Sequence, residues 1–362
     1  MTKEKIKDNK RAAISSIGKN EVMARLFKDT GYNNRNSFLS LSTLDNDLST
    51  HGAPKNKNLS STNCRYVTTS VMILEGIDFN LTYTPLKHLG YKSALLAIGA
   101  LYAKFYTPAG MIFNIGLSQK FCYEEIAEFW TGVIAAAKEH KTEQIGLELN
   151  ASITGMAIGI TATGRQREEF ISKLPSNKKN SLICITGNIG GAYMGLHILE
   201  RERVAFEKIP SSEFAKYKQP DLSKYKFILS QYLSPHIEAG IIEQFKEAGI
   251  LPSSGYFITK GLANTIKQLC IDSGLGAKIF LEKIPIAAPT FEIAEEIGID
   301  AATAALNGGD DYKFLFVIPL EQHESLQKEF PAYDIIGHLC SPSDGMQLIT
   351  PDGAALELKS GF

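Results

Sequence analysis

The chain has 362 residues, enough for two domains with separate cores. Its 38 basic and 39 acidic side chains leave a formal net charge of −1, so composition points to neither a nucleic acid nor an anionic membrane as partner. The five cysteines, Cys64, Cys122, Cys184, Cys270 and Cys340, are widely spaced with no Cys-x-x-Cys pair, which argues against a zinc site or a disulfide framework and makes most of them small buried apolar residues.

In chain order, polar and charged residues dominate to about Lys10 without a following apolar signal core, and residues 55–63 form a second polar, loop-like tract. The longest helical apolar run, residues 94–103, is too short to span a bilayer, so the expected location is cytoplasmic. Residues 111–117 read as a strand. Ile126, Phe129, Trp130, Val133, Ile134 and Ala137 recur at three and four residues and give a helix one buried face. Residues 153–162 read as another strand, and the polar run from Gly164 to Glu169 marks a composition break. The expected domains are therefore 1–165 and 166–362.

The second half opens with a strand at 182–186 and a turn containing Gly187, Gly190 and Gly191, leading into a helix that carries Met194, Leu196 and Leu199. Such a turn either cradles phosphate with backbone N–H groups or makes a tight connection; without a Walker lysine pattern or a full Gly-x-Gly-x-x-Gly both readings stand. Helices are expected near 235–249, 260–273 and 289–298, and strands near 277–281, 312–318 and 334–339. That alternation predicts an α+β or α/β mixed-sheet architecture. In the stretch from Asn307 to Phe316, Gly308 and Gly309 make positive φ available for a sharp turn. The buried strand that follows would present Asp310, Asp311 and Tyr312 at a sheet edge. A plain solvated turn is the alternative.

The run Gly308-Gly309-Asp310-Asp311-Tyr312 and its strand resemble the Gly-Gly-Glu-Asp-Tyr-Glu-Leu-Leu-Phe stretch of thiamine-monophosphate kinases. Three more blocks are similar and fall in family order: Leu74 to Phe79 with Tyr83 to Lys92, Ile185 to Leu196, and Ser273 to Ile279. The resemblance implies a two-domain aminoimidazole ribonucleotide synthetase-like fold. It makes residues 1–165 an ATP-binding-type and dimerisation domain that contributes to a dimeric β-barrel, and residues 166–362 a C-terminal α/β domain. It also implies ATP and Mg2+ as cofactors, a homodimer, and transfer of phosphate from ATP to thiamine monophosphate in thiamine diphosphate biosynthesis.

At the positions where the family holds magnesium through aspartates, the chain departs from the pattern. The family's Ser/Thr-Asp pair falls on Ser70-Val71, its Asn-Leu-Ser-Asp run on Ala97 to Ala100, the Asp after its Thr-Gly turn on Asn188, and its Asp-x-Ser-Asp-Gly-Leu on Phe257 to Leu262, with Lys260 in place of the second Asp. Glu148 keeps a charge one methylene further out, and an early Gly-Asp-Asp site is matched at best by Asp45 and Asp47. Magnesium requires short, near-octahedral oxygen ligation, which Val71, Ala100 and Phe257 cannot supply. Losing about 4 kcal/mol of metal-borne transition-state stabilisation would slow turnover roughly a thousandfold.

The expected function is thus a thiamine-monophosphate kinase homologue that is catalytically impaired, or a non-catalytic binding or partner paralogue with weak or lost Mg2+ binding. The alternative is an active ATP- and magnesium-dependent kinase. Asp45, Asp47, Glu148, Gly308, Gly309, Asp310, Asp311 and Tyr312 are the retained acidic or substrate-site candidates. Lys260, Gly187 and Gly190 are the phosphate-binding candidates, with a small phosphorylated ligand or nucleotide as partner. For Lys260 a position in the first turn of a helix is expected, either as a surface lysine or as a cation standing in for metal.

Overall fold

Apolar residues alternating along β-branched runs build two sheets. The computed structural model describes residues 11–39, 64–210 and 220–359, so Asp45, Asp47 and the tract 55–63 lie outside the described residues. The chain divides into one unit of Met1–Ala53, Ser70–Ala94 and Ala109–Ala162 and a second of Pro54–Thr69, Leu95–Pro108 and Thr163–Phe362.

In the first half of the chain, α1 (Lys19–Phe27) precedes β1 (Cys64–Leu74), α2 (Leu86–Ala103), β2 (Thr107–Leu117), α3 (Tyr123–Glu139), β3 (Gln144–Ala151) and β4 (Met156–Arg167). The four strands form an open sheet in the order β1-β4-β2-β3. Parallel pairing of β2 and β3 sets Met111, Phe113 and Ile115 opposite Ile145, Leu147 and Leu149, all buried. The α3 face read from sequence is the buried one, with Trp130 between Phe27 (5.1 Å) and Phe113 (5.8 Å). Where α2 meets α3 the backbones touch: a Cβ on Gly90 would lie 1.9 Å from the Phe129 carbonyl oxygen, and one on Gly132 would lie 1.9 Å from that of Lys87.

Several boundaries differ from those read in the sequence. The strand expected at 153–162 starts at Met156, leaving Ile153 99% exposed in the preceding turn. It runs through the polar run to Arg167, because Gln166 turns its amide inward to donate to the Phe105 carbonyl at 3.0 Å. Strands β1 and β3 were not expected. Among the described residues no helix is long and apolar enough to cross a membrane.

The second half contributes β5 (Leu182–Ile185), α4 (Gly191–Glu207), α5 (Lys226–Leu233), α6 (Ile241–Glu247), β6 (Ser254–Ile258), α7 (Leu262–Ser273), β7 (Gly276–Phe280), α8 (Ala288–Ile297), α9 (Ala301–Asn307), β8 (Lys313–Ile318), α10 (His323–Glu329), β9 (Asp334–Cys340), β10 (Met346–Ile349) and β11 (Ala355–Glu357). The helix expected at 235–249 is confined to the seven residues of α6. The seven strands form a mixed sheet in the order β11-β10-β7-β9-β5-β8-β6. Ile183, Ile185, Ile279, Leu315, Val317 and Leu339 pack on one face against Leu262, Ile266 and Leu269 of α7. Both β5 and β6 run antiparallel to β8. The C-terminal ends of β5 and β6 and the start of β8 therefore share one sheet edge.

The α2–α3 contact makes a direct prediction. Alanine at position 132 gains about 1 kcal/mol of helix propensity over glycine, but its methyl group would overlap a backbone carbonyl that cannot swing away. Gly132→Ala is expected to destabilise the protein by about 2 kcal/mol in denaturant unfolding; a stabilised variant would mean the helices are further apart.

Candidate functional site

Three loops meet at the shared edge of the seven-stranded sheet, all within the second unit: 186–190 after β5, 259–261 after β6, and 307–312 before β8. Backbone hydrogen bonds stitch them together. Asp310 N–H donates to the Thr259 carbonyl (2.9 Å), Tyr312 N–H to that of Ile258 (3.0 Å), and Thr186 N–H to that of Phe314 (3.1 Å). The Thr186 hydroxyl oxygen in turn accepts from Phe314 N–H at 2.9 Å.

The turn differs from the expected two-glycine form. Gly308 caps α9 with φ −70, and positive φ falls on Gly309 (83), Asp310 (59) and Tyr312 (53). Gly309 is required, since a Cβ there would sit 2.8 Å from the Thr259 carbonyl oxygen. Asp310 and Tyr312 are held in a region costly for L-residues by the hydrogen bonds just given. Gly308 and Gly309 thus make the turn tight, while the strain is carried by their neighbours.

Asp311 is the most constrained ionisable group of the edge. Only 4% exposed, it accepts a hydrogen bond from Gly190 N–H at 2.7 Å through Oδ1, while Oδ2 is buried with no hydrogen-bond partner among the described residues. Burial pushes its pKa up to about 8. The Gly190 bond opposes that rise, Asp310 adds to it, and Lys313 opposes it. Lys313 responds in the opposite direction, with burial lowering its pKa against the pull of Asp311. Its side chain runs past Gly187, Cε lying 3.9 Å from where a Cβ would be. The sequence reading missed Lys313. The spacing Asp311-x-Lys313 at a strand start was the available signal, because alternate residues share a face.

The glycine-turn candidates divide. Gly190 is the N-cap of α4, and its N–H is engaged by Asp311 rather than open to a ligand; Gly187 takes φ 109 at the mouth of the turn, and Asn188 is exposed beside it. Lys260 is exposed and lies before the N-cap Gly261, not in the first turn of α7 as expected. Gly261 takes φ 83 because the chain passes Leu306 there, a Cβ being 2.7 Å from the Leu306 carbonyl oxygen, and this keeps Lys260 out of the helix.

Phe257 fills space rather than offering a donor. Its ring lies 5.4 Å from Tyr312 and 5.2 Å from Phe314, and a Cβ on Gly99 would fall 2.4 Å from its carbons, so the ring rests on the backbone of α2. Half-buried Ala100 follows directly. Two stretches to which the resemblance assigns carboxylates are thus in apolar contact. In the first unit, Glu148 on β3 is ion-paired with Lys19 and registers opposite Asn114, and half-buried Val71 sits on β1.

No protein-family model matches the chain. Among curated proteins it is similar to the thiamine-monophosphate kinase of Rhodopirellula baltica, 21% identical over 258 residues covering 71% of this chain and 70% of that protein. The Buchnera aphidicola enzyme of the same name is 25% identical over 353 residues, 94% and 97% of the two chains. The fold matches the crystal structure of thiamine monophosphate kinase from Aquifex aeolicus with TM-score 0.65 at 19% identity, covering 81% and 89%. It also matches a structure described as "AaThiL complexed with AMPPCP and TMP", with TM-score 0.64 at 18% identity, covering 95% and 96%.

The buried carboxylate predicts a specific pH dependence. A folded-state pKa raised above the ordinary Asp value contributes stability that is complete below about pH 4 and is lost as pH rises through about 8. Asp311→Asn removes that term. The stability of the variant relative to the natural protein should therefore improve as pH rises from 5 to about 8 in thermal unfolding and level off above that, and a flat profile would show that the carboxylate is already ionised at pH 5.

Proposed function

The chain belongs to the thiamine-monophosphate kinase family, and we propose that it is a catalytically impaired member that binds a nucleotide or small phosphorylated ligand at the edge formed by loops 186–190, 259–261 and 307–312. The observation that carries this reading is the seating of Phe257 on Gly99, Tyr312 and Phe314. An aromatic ring packed there excludes both the oxygen ligands and the water that magnesium retains. Val71, Ala100 and Lys260 likewise bring no side-chain oxygen, and Asn188 brings only an amide. At these five positions the donors do not fit the magnesium ions that the resemblance implies, so no step is assigned to them.

Without metal, the edge favours a bare anion. Lys260 is a solvent-facing cation beside the N-terminus of α7, and Asn188 carries no repelling charge. A relative complexed with AMPPCP and TMP supports a nucleotide and a phosphorylated small molecule as the ligand types. A second reading, an active ATP- and magnesium-dependent kinase, is favoured by the buried Oδ2 of Asp311, which lacks a partner as a group awaiting a metal or substrate proton would. For the assembly we propose a homodimer through the first unit, where Met72, Ile77 and Ile153 are 67%, 79% and 99% exposed and β1 is a sheet edge. Dimerisation would close the sheets into a barrel, and the soluble, cytoplasmic setting follows the family.

Three measurements test these readings. Turnover of ATP and thiamine monophosphate with magnesium should be absent or far below the ordinary enzyme range of ~1 to 1000 per second; a rate inside that range establishes the active reading. Calorimetry should show ADP binding without magnesium that weakens about tenfold in Lys260→Ala and falls with added salt. Strict dependence on magnesium with indifference to Lys260 would make the lysine a surface residue. Light scattering at micromolar concentration should give twice the chain mass.

A further inference from the structure

The seven-stranded sheet has a second face. Ala277, Ile279 and Leu339 point into the main core, so Lys278, Phe280 and His338, which alternate with them, point the other way. Over that face α10 is only seven residues long. A cleft of about 610 Å³ remains, bounded by Leu182, Phe280, Lys283 and His338 on the sheet side and by Leu326 and Phe330 on the α10 side. All of them belong to the second unit, and the volume is that of a small-molecule site.

Its chemistry is aromatic and cationic. The Phe280 ring and the His338 imidazole lie 5.9 Å apart, and the Lys283 ammonium is 5.1 Å from the Phe280 ring. Exposed Lys283 has no acidic partner among the described residues. Lys278 stands directly opposite His338 across the β7–β9 ladder, its ammonium 3.8 Å from Asp344. His323, at the start of α10, adds a third basic group to the lining. The one carboxylate there, exposed Asp334, has its pKa raised by partial burial, and it is the group of the lining that opposes an anion.

We propose that this cleft binds a small aromatic anion, its charged group met by Lys283 and His338 and its ring held against Phe280, Leu326 and Phe330. Burial, then Lys278, then Lys283 lower the His338 pKa below the ordinary histidine value. An anion in the cleft favours the imidazolium and raises that pKa. Between the bound and free values affinity therefore increases as pH falls. Lys278, Lys283, His323, Asp334 and Asp344 are the charged or titratable groups around His338, and the ring resonances of His338 itself separate its response from theirs. The proposal stands apart from the loop edge at β5, β6 and β8 and does not depend on the activity found there.

Calorimetry with phenyl phosphate at pH 7.5 should show binding that weakens about tenfold in Lys283→Ala and in His338→Gln. Lys260→Ala should leave it unchanged, and saturating ADP should not displace it. Benzenesulfonate, whose charge is constant, should bind more tightly at pH 6 than at pH 8 and shift the His338 ring resonances of the natural protein. Equal binding of inorganic phosphate, displacement by ADP, an unaltered affinity in the Lys283→Ala/His338→Gln double variant, or unmoved His338 resonances at saturation would each overturn the proposal. The resonance measurement needs no variant and stands even where a substitution unfolds the chain.

Discussion

One hydrogen bond organises the loop edge: the Gly190 amide donating to the buried Asp311 carboxylate. β8 lies between β5 and β6, so whatever fixes its entry fixes both neighbours. The Asp311 bond ties that entry to the N-cap of α4, and the Asp310 and Tyr312 amides tie it to the end of β6. Left-handed backbone at Asp310 and Tyr312 costs about 1 to 2 kcal/mol each, a cost this set of bonds holds in place. The result is an edge whose three loops are hydrogen-bonded to one another, the kind of support that positioning of a ligand requires.

The aromatic residues show how the fold fills positions to which the resemblance assigns acidic groups. Phe257 joins a continuous set of rings, stacking toward Phe314, which stacks on Phe316, which in turn meets Phe245 and Phe105. Burying a phenylalanine contributes about 1.5 to 3 kcal/mol, whereas a carboxylate at the same place would need a metal or a donor to offset its desolvation. A phenylalanine at this position therefore favours packing of the sheet over ligation. That trade is typical of functional positions, which are less stable than their neighbours when they keep their chemistry.

Legibility in the sequence followed the strength of the pattern. The α3 face was readable because six apolar residues repeat at helical spacing, and β8 because five consecutive apolar residues can only be buried on both faces. β1 was not, since Thr68 and Ser70 at a sheet edge pair with the neighbouring strand, Thr68 with Thr163 and Ser70 with Thr161, in pairs that no linear pattern reveals. The register of β6 against β8 was equally hidden, and with it the packing of Phe257 on Gly99, a contact between residues distant in sequence. At the site, the acidic turn was visible but its inward carboxylate was not. Nothing local distinguishes Asp311 from Asp310; one is buried and bonded to Gly190 and the other only partly covered because the turn takes left-handed φ on both sides of Asp311.

The buried carboxylate also bears on which anion the edge can accept. An ionised Asp311 beside the N-terminus of α4 would neutralise the helix dipole and repel phosphate, leaving a metal ion as the means of bringing the two together. With its pKa at about 8, Asp311 is largely protonated at neutral pH, and that repulsion is absent. A protonated carboxyl also gains a donor, so its buried Oδ2 could then offer a hydrogen to an incoming oxygen rather than require a cation. Desolvation of a single side chain thus lowers the negative charge that an incoming anion meets at this edge, in the same unit in which Phe257 and Lys260 stand where the resemblance implies oxygen ligands.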